Sequence, residues 1–275
     1  MNSGLQKQAL ISLGVMLAAL LLLYFPILQE LAHDWDTNDN YSHGYFIPVL
    51  SLYLIYSIKD ELRKLPVKTT ITGLLLLLVG LAQLIVAKAG SEYFLQRTSL
   101  ILVLAGIVLF CLGSSFFKKL LLPIAYLIFM VPIPAIIWNK IAFPMQLFGS
   151  FLTEKVVTLL GIPLFREGNV LHLANTTLEV VDACSGLRSL TTLFALSAVF
   201  ALLSTHKTWQ KWVLFFAAAP IAIFANIVRL SATAVLASKY GSDVAHGFLH
   251  DFSGIVVFAV GILLLVTVSN LLKKV

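Results

Sequence analysis

The sequence predicts an all-α polytopic membrane bundle of about eight transmembrane helices, interrupted by one small extracytoplasmic segment of amphipathic helix and β-hairpin. Three observations carry this. Of 275 residues, 59% are hydrophobic and 12% charged, and the mean hydropathy is +0.95; soluble domains run near half apolar and about a quarter charged. A water-soluble particle of this size lacks the polar groups to cover itself, and 19 Phe in a Leu-dominated chain exclude disorder. Apolar runs of about 20 residues, enough to cross roughly 30 Å of hydrocarbon, recur along the chain. The length suits one membrane domain over residues 1–275, not two soluble domains on a tether.

The runs fall at 9–28, 43–58, 70–87, 95–112, 119–137, 187–203, 211–236 and 254–271. The first spans and is followed by no small-residue cleavage site, so it reads as a helix and not a removable leader. The second is short. The fifth carries Pro123, Pro132 and Pro134, breaks that membrane helices tolerate where neighbours satisfy the freed backbone groups. Residues 138–186 are the insert with least membrane character. Within it, 141–160 read as an amphipathic helix broken by Pro144, with Glu154 and Lys155 interrupting its apolar face. Such a segment lies in the interface or folds as a re-entrant hairpin. After Gly161 and Pro163, the Val- and Thr-rich alternation of Asn169–Val181 predicts a β-hairpin.

Charge sets the orientation. The net charge is +6 and the pI near 9.3, which in a soluble chain suggests nucleic acid. Here Lys7, Lys59, Arg63, Lys64, Lys68, Lys118, Lys119, Lys207, Lys211, Lys273 and Lys274 all hug the helix ends on one side. The positive-inside rule places that side, with both termini, in the cytoplasm. The expected partner is membrane lipid, with no nucleic acid. Trp35 and Trp138 on one face, and Trp209 and Trp212 on the other, fit interfacial belts. Cys111 and Cys184 give neither a disulfide framework nor a zinc pattern, and no cofactor or metal is expected.

The residues that need a reason are those a bilayer disfavours. Arg229 sits inside the seventh run; a mid-helix Arg costs about 2.5–3.5 kcal/mol on insertion scales. Seventeen residues from Trp212 lift it about 25 Å, close to the outer boundary. It either faces a polar cavity with a task or snorkels to the outer headgroups. Cys184 stands at the outward entrance to the sixth run, in Val181-Asp-Ala-Cys-Ser-Gly-Leu-Arg188. A helix N-terminus favours thiolate, and Arg188 one turn on adds to that; the other reading is a small packed thiol. His250 precedes the eighth run, again outward, where a solvated imidazole is the plain reading. All three nonetheless emerge at one face. A thiol nucleophile, a base and a cation for an oxyanion are what acyl transfer through a thioester requires.

These residues resemble a known family. Ala183-Cys-Ser-Gly-Leu-Arg-Ser189, Asn226-Ile-Val-Arg229 and His250-Asp-Phe-Ser-Gly254 are similar, in order, to the three signatures of the exosortase/archaeosortase family. Asn40-Tyr-Ser-His-Gly-Tyr45, leading to Pro48, resembles its first region. The resemblance implies a multi-pass cysteine transpeptidase acting on exported proteins that end in a short motif, a transmembrane helix and a basic tail. In bacteria the motif is Pro-Glu-Pro, and the setting is the cytoplasmic membrane with an extracytoplasmic active site. By carry-over, Cys184 attacks the scissile carbonyl, Arg229 holds the oxyanion or thiolate, and His250 protonates the leaving amine. Ser185, Gly186, Arg188, Asn226 and Gly254 support them. His246 lies one turn from His250, but only His250 has glycine at the fourth following position.

Two other classes compete. A transporter accounts for many spans and an intramembrane Arg, but the polar residues gather at one face and no inverted repeat is visible. A lipid phosphatase is faintly suggested by Arg229 with Ser242-Asp243 and His246; the second phosphate clamp and the Ser-Gly-His segment it needs are not found.

Overall fold

A computed structural model describes residues 3–174, 176–180, 186–241 and 248–274, with backbone alone for 3–7, 248–253 and 255. The chain folds as two compact units, Met1–Ile133 and Pro134–Val275.

The first unit comprises α1 (Ser3–Thr37), a 3-10 turn (Asp39–Tyr45), α2 (Phe46–Ser57), the short α3 (Lys59–Leu62), α4 (Ile71–Ala89), α5 (Tyr93–Leu112), α6 (Ser114–Tyr126) and a second 3-10 turn (Leu127–Met130). Helix α1 runs well past the expected 9–28. Its buried stripe of Leu20, Tyr24, Ile27, Leu31 and Trp35 recurs every three or four residues, so the same face keeps burying to the end. Two polar contacts pin it to α5: Asp34 Oδ2 to Arg97 Nη2 at 2.6 Å, and Tyr24 Oη to Ser99 Oγ at 2.8 Å. Helices α4 and α5 form a close hairpin. A Cβ on Gly80 would stand 2.8 Å from Val103 Cγ2, and one on Gly106 2.6 Å from the Leu77 nitrogen, so small residues set the approach.

The proline-broken fifth run shows how its freed backbone is satisfied. The helix gives way to the 3-10 turn at Leu127, and three side chains from the N-terminal part of the unit reach the break. Ser51 Oγ donates to the Pro123 carbonyl at 2.8 Å, Trp35 Nε1 donates to the Met130 carbonyl at 2.9 Å, and the Ile133 N–H donates to Tyr41 Oη at 3.1 Å. Trp35 and Tyr41 therefore fasten the break. The Trp35 ring is buried, with the Gly44 backbone packed against it. This corrects the expected interfacial belt: Trp35 and Trp138 are both buried, while Trp209 and Trp212 are exposed. Trp35→Phe should strand the buried Met130 carbonyl and cost about 1–3 kcal/mol. Thermal unfolding in detergent measures it, and an unchanged melting temperature would show that the carbonyl needs no partner.

The second unit comprises α7 (Ala135–Leu159), strands β1 (Leu164–Glu167), β2 (Val170–Leu173) and β3 (Thr177–Glu179), then α8 (Leu187–Leu203), α9 (Thr208–Tyr240) and α10 (Phe248–Leu272). Helix α7 is continuous through Pro144, contrary to the expected break. It packs along α9. Gly149 packs beside Asn226 and Leu230, and Val157 shares a core with Leu230, Ala234 and Ala237. Both numbers rise together, so α7 runs parallel to α9, a helix long and apolar enough to cross a membrane. Its remaining surface carries exposed Ile136, Ile137, Ile141, Phe143, Phe148 and Phe151, and with Ser114–Met130 it makes a pair bent by 78°, a broken span or a re-entrant loop.

The expected hairpin over 169–181 is a three-stranded antiparallel sheet in the order β1-β2-β3. It starts earlier because Gly168, at φ 63°, turns the chain between Glu167 and Val170. Leu171, Leu173, Leu178 and Val180 bury one face against Val157, Leu230, Ala234 and Ala237. Ser150 Oγ and Arg166 Nη1 both donate to the Gly168 carbonyl, at 3.0 and 2.8 Å, and Arg166 Nε meets Glu154 Oε2 at 3.3 Å. The sheet is thus tied to α7 at its turn.

Seven of the eight apolar runs are helical almost throughout and the fifth is interrupted at 131–134, and the helix lengths differ. Four described helices are long and apolar enough to cross a bilayer, in α1, α4, α5 and α9, or five if Ser114–Leu159 is one broken span. Helix α2 has 12 residues, about 18 Å, short of the roughly 30 Å hydrocarbon. Helix α8 has 17 residues. The architecture is an all-α membrane bundle with one small sheet.

Candidate active site

Helices α8, α9 and α10 pack together, with α9 antiparallel to the other two. Its core joins Leu193 and Ala201 of α8, Leu214, Ala218, Ile221 and Ala222 of α9, and Leu265 and Leu272 of α10. A Cβ on Gly261 of α10 would come 2.9 Å from Leu193 Cδ1, a close crossing of α10 on α8. The far end is closed by His206 Nε2 with Ser269 Oγ at 3.1 Å and by Gln210 Nε2 donating to the Leu272 carbonyl at 2.8 Å. Counting back from these contacts, the N-terminal ends of α8 and α10 fall at the same end of the unit. That is where the sequence placed its polar residues.

Cys184 and Ser185 lie outside the described residues, as does His246. His250 lies in the first turn of α10, where only the backbone is described. Gly254 follows one turn later, with open space where a Cβ would stand.

The firmest geometry joins two of the motifs. Gly186 is the N-cap of α8, at φ 82° and ψ −1°, a left-handed conformation that side chains disfavour. It is also jammed against α9: a Cβ there would lie 2.9 Å from Asn226 Cγ and 3.0 Å from Asn226 Cβ. Asn226 is itself 4% exposed, and Gly149 approaches it from α7. Arg229 stands three residues on, half-buried, and Arg188 is half-buried in the first turn of α8. Both arginines have polar partners. Glycine at 186 therefore has two separate physical reasons, the backbone angle and the contact. Gly186→Ala should displace Asn226 and lower turnover by about tenfold or more, with membrane levels preserved. Wild-type turnover would mean that Asn226 can move without consequence.

Helix α7 carries buried polar residues that sequence reading overlooked. Gln146, Gly149, Ser150 and Thr153 form one buried stripe, with Gly149 against α9 and Ser150 bonded to the sheet turn. The signal was there: buried polar positions at i, i+4 and i+7 on an otherwise apolar helix. Cys111, by contrast, is a free buried thiol beside Met16, with Sγ 3.5 Å from Sδ, which fits a packing role. Among the described residues, no group of three His, Cys, Asp or Glu side chains is placed to hold a metal ion.

Residues 35–267 match the family model described as Transmembrane exosortase (Exosortase_EpsH). The chain belongs to the exosortase family. The match takes in every motif considered above, from Asn40 to Gly254, and family membership makes the protein a membrane transpeptidase in general terms. No curated protein and no solved structure matches the chain.

Proposed function

We propose that this exosortase is a cysteine transpeptidase that cleaves the C-terminal sorting signal of exported proteins and passes them to an acceptor. The observation that carries the proposal is the contact of Gly186 with Asn226. It joins the Cys-Ser-Gly motif to the Asn-x-x-Arg turn across two helices, and Cys184 is two residues from that contact along the chain. Two residues of chain reach at most about 7 Å.

In the proposed reaction the Cys184 thiolate attacks the scissile carbonyl carbon. Arg229 stabilises the oxyanion that forms, and the guanidinium fork suits that charge. His250 gives a proton to the amine as the C–N bond breaks, leaving a thioester on Cys184. An acceptor nucleophile then attacks the thioester carbonyl, and the thiolate leaves. Ser185, Gly186, Arg188, Asn226 and Gly254 support this arrangement. The substrates are exported proteins ending in a Pro-Glu-Pro-type motif, a transmembrane helix and a basic tail, a composition suited to lateral delivery within the bilayer. The setting is the bacterial cytoplasmic membrane, with both termini in the cytoplasm and the site on the extracytoplasmic face. The distribution of basic residues supports that orientation.

A membrane-impermeant thiol reagent tests this reading on intact cells. Cys184 should label rapidly, and at a pH below the usual thiol range near 8.5, while buried Cys111 stays unlabelled. A Cys184 that is inert from outside, yet labels after the membrane is opened, would reverse the topology and remove the extracytoplasmic site.

A further inference from the structure

At the end of the second unit remote from Gly186, a cavity of about 390 Å³ opens between the C-terminal ends of α8 and α10. Its lining is graded along the helix axes. Phe200 and Leu203 of α8 and Val266 of α10 form the apolar part, further from the helix ends. Ser204, Thr205, Ser269, Asn270 and Lys273 form the polar part. Positions 266, 269, 270 and 273 recur at three- and four-residue spacing, so one face of α10 carries the whole gradient. From Val266 to Lys273 it covers about 10 Å.

Two of the polar side chains are already engaged. Ser269 Oγ meets His206 Nε2 at 3.1 Å, which ties α10 to the turn after α8 and holds the two walls together. Ser204 Oγ donates to the Ala201 carbonyl at 2.9 Å. The Thr205 hydroxyl, the Asn270 amide and the Lys273 ammonium make no hydrogen bond among the described residues. Three donors thus open on one space.

Charge and level narrow the occupant. Lys207 and Lys211 flank the start of α9 at this end, and Lys273 and Lys274 follow α10. No Asp or Glu occurs in 186–241 or in 252–274. The local field selects an anion and repels a basic peptide. Helix-end carbonyls oppose an anion, but Gln210 Nε2 already takes the Leu272 carbonyl and Ser204 Oγ that of Ala201. Trp209 and Trp212, in the first turns of α9, are exposed at the same end; such rings sit at headgroup level in a bilayer. An anion with an apolar continuation at that level is a phospholipid.

We propose that this cavity binds one anionic phospholipid, its phosphate held by Thr205, Asn270 and Lys273 and the start of an acyl chain lying on Phe200, Leu203 and Val266. It lies at the opposite end of α8 and α10 from Gly186 and Gly254, and stands independently of the transpeptidase reading.

The test uses the full chain in a non-ionic detergent, titrated with phosphatidylglycerol, phosphatidylcholine or inorganic phosphate. Bound lipid is counted by native mass spectrometry, and thermal unfolding is followed in parallel. One phosphatidylglycerol should bind per chain, about tenfold or more tighter than phosphatidylcholine, and should raise the melting temperature. Lys273→Gln, and separately the Thr205→Val/Asn270→Leu pair, should weaken phosphatidylglycerol by about tenfold and leave phosphatidylcholine unchanged. All three residues are exposed, so the core of the unit is left intact. Lys211→Gln removes the same charge from the same end but outside the cavity lining, and should weaken binding by less than about threefold. Equal affinity for the two lipids overturns the proposal, as does an undiminished preference in both cavity variants. A loss in Lys211→Gln as large as in Lys273→Gln also overturns it, because the attraction would then belong to the whole basic end. Stabilisation by inorganic phosphate equal to that by phosphatidylglycerol overturns the lipid and leaves a free-phosphate site.

Discussion

Cys184→Ala should abolish processing of a sorting-signal substrate while leaving the protein in the membrane at wild-type level. Removing a covalent nucleophile from a preorganised site typically costs roughly 10⁵–10⁶-fold in turnover. Cys184→Ser should fail nearly as fully, because a hydroxyl has no accessible anion at neutral pH, whereas a thiol at a helix N-terminus does. Cys111→Ala should stay near wild type in activity, since that thiol is buried against Met16. The measurement is the electrophoretic shift of a tagged substrate on cleavage, with the enzyme followed by blot. Turnover retained in Cys184→Ala would end the peptidase reading and leave transport as the stronger account.

The second large effect belongs to Arg229. It sits three residues from Asn226 on a helix held between α7 and α8, so its backbone is fixed. Arg229→Lys keeps the charge and loses the planar fork. Turnover should fall by about 10²–10³, the loss typical when one oxyanion donor is removed, or about 2.7–4 kcal/mol. His250 should behave differently: His250→Gln keeps a donor but cannot titrate, so activity should be low at every pH. His246→Gln should be far milder. Both histidine variants are assayed with Arg229→Lys on the same substrate across pH. A dead His246→Gln beside an active His250→Gln would move the proton donor one turn earlier.

The sequence revealed the helices well and their companions poorly. Apolar runs of membrane length are a one-dimensional signal, and seven of the eight became helical almost throughout. The site motifs were legible because residues such as Arg229 cost too much in a bilayer to go unnoticed. What stayed hidden was lateral pairing. Trp35 looked like a belt residue because its bond to the Met130 carbonyl joins positions far apart in sequence. Glu154 looked like an interruption of the apolar pattern of α7; Arg166, on a strand yet to come, is what meets that charge. The sheet begins at Leu164, ahead of the expected Asn169, because Gly168 turns the chain between β1 and β2.

The parallel seating of α7 on α9 has a consequence for biogenesis. About 80 residues of chain separate Gly149 from its neighbour Asn226, which at roughly 5–20 residues per second is about 4–16 s of synthesis. During that interval Gly149 and the buried polar residues beside it have entered the translocation path without α9, whereas the α4–α5 hairpin closes as soon as its second helix emerges. The second unit of the protein is therefore the last to mature. An insertion intermediate arrested before α9 presents a half-polar helix to the translocon, and chaperones that shelter such helices have their longest opportunity there.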